Sequence, residues 1–87
     1  MASIYPRVRE YIKFINQAKE AVGFAKEGFI NFARIEQSKM SERELIDLGN
    51  QLVKMSAETI RLALGVGMKT PTRNILSKAI IDKGVQL

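Results

Sequence analysis

From Val8 onward, apolar or small residues recur at Tyr11, Ile15, Ala18, Val22, Ala25, Phe29 and Phe32, at intervals alternating between three and four. That is a heptad rhythm, the signature of one face of a long α-helix. Pro6 suits the first helical position, where the N–H it lacks would have no partner anyway. The pattern predicts a first helix over residues 6–37. Ser38, Lys39 and Met40 interrupt it, and Ser41 stands three residues before Glu44, the spacing of a capping box. A second heptad series then runs through Leu45, Leu48, Leu52, Met55, Thr59, Leu62 and Val66, predicting a helix over 42–66. Gly65 and Gly67 weaken the helix there. Thr70-Pro71 restarts it as N-cap and first position, Ile75, Leu76, Ala79 and Ile80 line one side of a helix over 71–83, and Gly84 ends it. Alternating runs and Asn-Gly or Asp-Gly turns are absent from the sequence, so no strand is predicted.

These signals predict one all-α domain, an antiparallel helical hairpin of two long amphipathic helices with a short C-terminal helix. A helix of about 30 residues is about 45 Å long, which makes the expected molecule a rod.

Each long helix also carries surplus apolar or small positions. The first has Phe14, Ala21, Gly28 and Ile35, spaced by sevens; the second has Ile46, Val53 and Ile60 on one added stripe and Gly49, Ser56 and Ala63 on another. A two-helix hairpin buries one seam per helix, so these positions are expected to form an oligomer interface with further copies of the chain. Small residues let backbones approach closely, which would offset the roughly 1 kcal/mol that an interior glycine costs a helix. Length favours the same expectation. An 87-residue chain is near the size at which a core alone is marginal, and the usual supplements are disulfides, metals or association. The sequence has no Cys and no His, which removes disulfides, thiolate sites, the commonest metal ligand and the commonest general base. Association remains.

Charge adds a second candidate partner. Fourteen basic against nine acidic side chains give +5, and residues 68–87 hold Lys69, Arg73, Lys78 and Lys83 against Asp82 alone. The stretch GVGMKTPTRN at 65–74 resembles a phosphate loop only superficially. A Walker loop sets Gly-Lys in register after a buried strand, whereas here Met68 separates Gly67 from Lys69 and a helix precedes. Nucleotide hydrolysis is excluded on that register. What remains is a helix start at which Lys69, Thr70, Thr72 and Arg73, with Lys78 and Lys83 farther along, could contact a nucleic-acid phosphate. Arg73, Asn74, Ser77, Lys78 and Ile81 would be the outward residues if this helix read a duplex.

No catalytic constellation emerges. The carboxylates mostly neighbour basic residues, as in Lys19-Glu20 and Lys26-Glu27, and Ser and Thr nucleophiles have no His base. The sequence therefore implies no catalytic residues, cofactor, metal or small-molecule substrate. The opening MASIYPRVREY lacks an apolar stretch of signal-peptide length. The longest uncharged apolar run, LALGVGM, has seven residues where a membrane span takes about 20. A cytoplasmic or virion-associated location is the default expectation. The expected function is a non-enzymatic, self-assembling structural subunit, the coat or core of a filament, virion or similar assembly, with nucleic-acid phosphate as a second partner. The alternative is a small dimeric nucleic-acid-binding or regulatory bundle. A third option is an adaptor that accepts a helix from another protein.

Overall fold

The computed structural model describes residues 5–20, 26–65 and 68–86, apart from the side chains of 18–20, 26–27, 29–30 and 65. Among these residues the chain is all-helical: α1 (Pro6–Glu20), α2 (Lys26–Ser38), α3 (Glu42–Leu52), α4 (Ala57–Gly65) and α5 (Thr70–Asp82). The described structure measures 34 × 25 × 25 Å.

The two long helices expected over 6–37 and 42–66 are each divided. Glu36 on α2 accepts an ion-pair contact from Arg7 at the start of α1 at 3.2 Å. One continuous helix would hold those residues about 43 Å apart at 1.5 Å per residue. The Gln37 side-chain amide donates to the Tyr11 hydroxyl at 2.7 Å, and the Phe14 and Phe32 rings lie 4.0 Å apart, centroid to centroid. Residue numbers fall along α1 as they rise along α2, so α2 lies back antiparallel on α1. The heptad marked the buried face of α1, at Val8, Tyr11 and Ile15; α2 buries Ala33 and Gln37 beside the series, and α1 is covered by α3 as well as by α2.

The division of the second long helix has a local cause. Ser56 accepts from the Thr59 N–H at 3.2 Å, and the two hydroxyls lie 2.9 Å apart. With the Ile60 N–H bonded to the Ser56 carbonyl at 3.0 Å, Ser56 opens α4 as an N-cap serine does. Val53 and Lys54 close α3 by turning their N–H groups to Gly49 and Gln51.

Three boundaries follow the sequence signals. The capping box is complete: the Glu44 N–H donates to the Ser41 hydroxyl at 3.2 Å, and the Ser41 N–H donates to a Glu44 carboxylate oxygen at 3.0 Å. Ser41→Ala is expected to cost about 1 kcal/mol, measured as a lowered urea midpoint with an unchanged slope. Gly84 ends α5 at φ +87°, the left-handed region that favours glycine. Helix α5 starts one residue earlier than expected, with Lys69 as N-cap in place of Thr70, and Pro71 stays in the first turn.

The core is shared by all five helices, with α2 contributing the fully buried Ala33. Val8, Tyr11 and Ile15 of α1, Leu45, Leu48 and Leu52 of α3, Ile60 and Ala63 of α4, and Leu76 and Ile80 of α5 are all buried. Helix α3 packs chiefly on α5 and secondarily on α1. The α3/α5 crossing depends on Gly49, where a Cβ would fall 2.8 Å from the Ala79 Cβ and 3.4 Å from the Leu76 carbonyl oxygen.

Candidate interaction surfaces

The ten residues expected to form an oligomer seam do not share one surface. Gly49, Ile60 and Ala63 are buried in the chain's own core. The packing of α5 on α3, and of α4 against α1 and α5, brought intrachain partners to faces that a rod would have left bare. Phe14 and Val53 are half-buried against that core, whereas Gly28, Ile35, Ile46 and Ser56 are exposed. Ala21 lies outside the described residues. Among those described, the large aliphatics left exposed are Ile35 at 54%, Ile46 at 41% and Ile81 at 55%.

Ile35 borders a cleft of about 190 Å³ between the end of α2 and the start of α5, lined by Arg34, Ile35, Gln37, Ser38, Lys69 and Thr72. Its charged residues are both cations. Lys69 enters it from the turn before α5, whose first N–H groups receive no side-chain cap, so the helix dipole adds to the positive field. Arg34, which reading along the chain did not single out, reaches the cleft only because α2 folds back. Ile46 borders a groove of about 210 Å³ between α3 and α5, lined by Glu42, Ile46, Ile75, Lys78, Ala79 and Asp82. Its charge balance is negative, and Lys78 is already paired with Asp82 at 3.1 Å.

The six expected phosphate contacts are likewise divided. Lys69 and Thr72 meet in the α2/α5 cleft. Thr70 and Arg73 are exposed beside it, and the Arg73 guanidinium donates to the Met68 carbonyl at 3.2 Å. Lys78 lies on the α3/α5 groove. Lys83 is exposed past the far end of α5, about 21 Å from Lys69 along the helix axis. These residues are spread along the length of α5 and do not form one binding patch.

Beneath α2, Gln37 is the buried polar side chain that ties the fold-back, through its bond to Tyr11. Burial pushes the Tyr11 phenol up from 10.0 to about 12, against a smaller lowering by the Gln37 bond. Because the folded value lies above the unfolded one, the stabilisation is fully present below pH 10 and is lost as pH rises towards 12. That interval corresponds to about 3 kcal/mol at most. At neutral pH, Tyr11→Phe is expected to cost about 1 kcal/mol or more by leaving the Gln37 amide without its acceptor. The gap between wild type and Tyr11→Phe should then narrow above pH 10 in denaturant titrations at stepped pH. A constant gap would mean that Tyr11 ionises as freely in the folded chain as in the unfolded one.

Among the described residues there is no group of three or more carboxylates placed to hold a metal, and no helix is long and apolar enough to cross a membrane. No protein-family model matches the chain, and comparison with curated proteins and with solved structures gives no match.

Proposed function

We propose that the protein is a non-enzymatic structural subunit that assembles with copies of itself. One observation carries this reading. After the chain has filled its core, Ile35 and Ile46 remain at the surface, each beside a cleft, and the two clefts differ in the sign of their charge. Exposed single aliphatics are ordinary; an aliphatic bordering a concave, charged rim twice over is the anatomy of a small interface core with a polar surround. Burial of one isoleucine contributes only about 1.5–3 kcal/mol, so each contact is weak and the assembly is concentration-dependent. Light scattering behind size exclusion, on nuclease-treated protein, tests this. The mass should climb from 9.8 kDa as concentration rises; a constant monomer mass would end the reading.

A second reading has its own observation, the α2/α5 cleft with Arg34 and Lys69 and no carboxylate in its lining. There three nucleic-acid phosphates would be contacted, one each by Arg34, Lys69 and the neighbouring Arg73. Three phosphate contacts on duplex DNA give a log–log salt slope near −2.7, at about 0.9 per contact. Lys69→Gln should reduce that slope by about one contact. Binding that ignores salt would rule this reading out.

A further inference from the structure

We propose that copies of this chain associate head to tail, the Ile35 edge of α2 in one copy seating in the α3/α5 groove of the next, with Arg34 facing Glu42. This rests on the self-assembly reading and adds its geometry. The groove, at about 210 Å³ with Ile46, Ile75 and Ala79 as its apolar wall, has room for the four side-chain carbons of an isoleucine. Ile35, at 54% exposed, is the aliphatic that the opposite cleft presents.

Charge selects the pairing. Among the described residues, no carboxylate lies within ion-pair range of Arg34 or Lys69, and no cation lies within that range of Glu42. Cleft against cleft would bring four cations together, and groove against groove would set Glu42 against its own copy. Like-charge juxtaposition of that kind selects strongly against a pairing. Cleft against groove opposes Arg34 and Lys69 to Glu42 and the Lys78–Asp82 pair, the one combination of unlike sign. The two patches share no residue, so a copy that gives its cleft still offers its groove. A contact between unlike patches continues into a filament or closes a ring, and a dimer satisfies only half of it. At about 0.15 M salt the Debye length is about 8 Å, which screens repulsion between subunits of net charge +5 while leaving a contact pair largely intact.

The test is sedimentation of the full chain in about 0.15 M salt, from about 10 µM to about 1 mM, with far-UV circular dichroism and a melting curve to establish that each variant is folded. Arg34→Glu and Glu42→Arg should each weaken association at least about tenfold, and the double variant Arg34→Glu/Glu42→Arg should recover to within about threefold of wild type. Glu42→Gln serves as a milder second probe, since it removes the charge without placing a cation in the first turn of α3; it should weaken association several-fold. Wild-type association that none of these variants changes would overturn the head-to-tail geometry and leave the self-assembly reading standing. A wild type that stays monomeric throughout would remove both. Arg34→Glu that lowers binding to a short DNA duplex while leaving the sedimenting mass unchanged would assign the cleft to phosphate and overturn the proposal.

Discussion

Leu48→Ala is expected to destabilise the protein by about 2–5 kcal/mol, the combined cost of lost transfer energy and the cavity left behind. Leu48 is fully buried, on the face of α3 that holds the centre of the core. Domains of this size have roughly 4–13 kcal/mol in total, at about 0.05–0.15 per residue, so the variant removes a large fraction of the stability. With about 4–8 °C lost per kcal/mol for domains of this length, the midpoint should fall by at least about 8 °C. Ile81→Ala is the matched control. Ile81 is also a large aliphatic, but it is 55% exposed on α5, and its loss should stay within about 0.5 kcal/mol in dilute solution. Equal effects at the two positions would mean that α3 does not carry the core.

Gly49→Val is the second large effect, about 3 kcal/mol or more, by overpacking instead of by a cavity. A Cβ at position 49 falls 2.8 Å from the Ala79 Cβ, an atom fixed directly to the α5 backbone. The two helices must part to admit it, and parting strips contacts from Leu76 and Ile80, both fully buried. Gly49→Ala is a gentler version in which two terms oppose: alanine favours the helix by about 1 kcal/mol, while the clash costs about 1–3. The clash should win, and Ala79→Gly in the same chain should recover part of the loss. At Gly28, exposed on α2, an added Cβ meets none of the described residues within 4 Å, so Gly28→Ala should stabilise by up to about 1 kcal/mol. Opposite signs at the two glycines separate close packing from helix propensity.

Much of the helical organisation was legible because it is local. Ser41 and Glu44 cap α3 as their spacing predicts, Pro71 stands in the first turn of α5, which starts one residue earlier than expected, and Gly84 closes it. Val8, Tyr11, Ile15, Leu45, Leu48 and Leu52, all on the heptad seams, are core residues. Which helix covers a seam is not local. A heptad specifies a face, and residues 8–32 show the same rhythm whether they form one rod or two helices lying on each other. The Ser56 boundary was legible in principle, as a serine followed by Glu58 in the first turn of α4. It was masked because Thr59 also fits the heptad, and the two hydroxyls make a local cap where the pattern implied an apolar seam. The packing of α5 on α3 accounts for the reassignment of Gly49 from an expected intermolecular seam to the interior, and the contacts of α4 with α1 and α5 account for Ile60 and Ala63. The basic cleft was half legible. Lys69 was found from charge along the chain and Thr72 from the helix start, but Arg34 is 35 residues away in sequence from Lys69 and joins them only through the fold-back.

That fold-back is the claim on which the covering of α1 and the α2/α5 cleft depend. Its most direct test is a pulsed electron-resonance distance between spin labels at Arg7→Cys and Glu36→Cys, in a sequence with no native cysteine. Removing the partly exposed Arg7–Glu36 contact costs about 1 kcal/mol or less, so the double variant should fold. The expected result is a short distance, about 20 Å or less, that persists when labelled protein is diluted with unlabelled protein. A distance near 43 Å, the span of 29 helical residues, would contradict it. So would a short distance that vanishes on dilution, because α1 would then be covered by α2 of another chain.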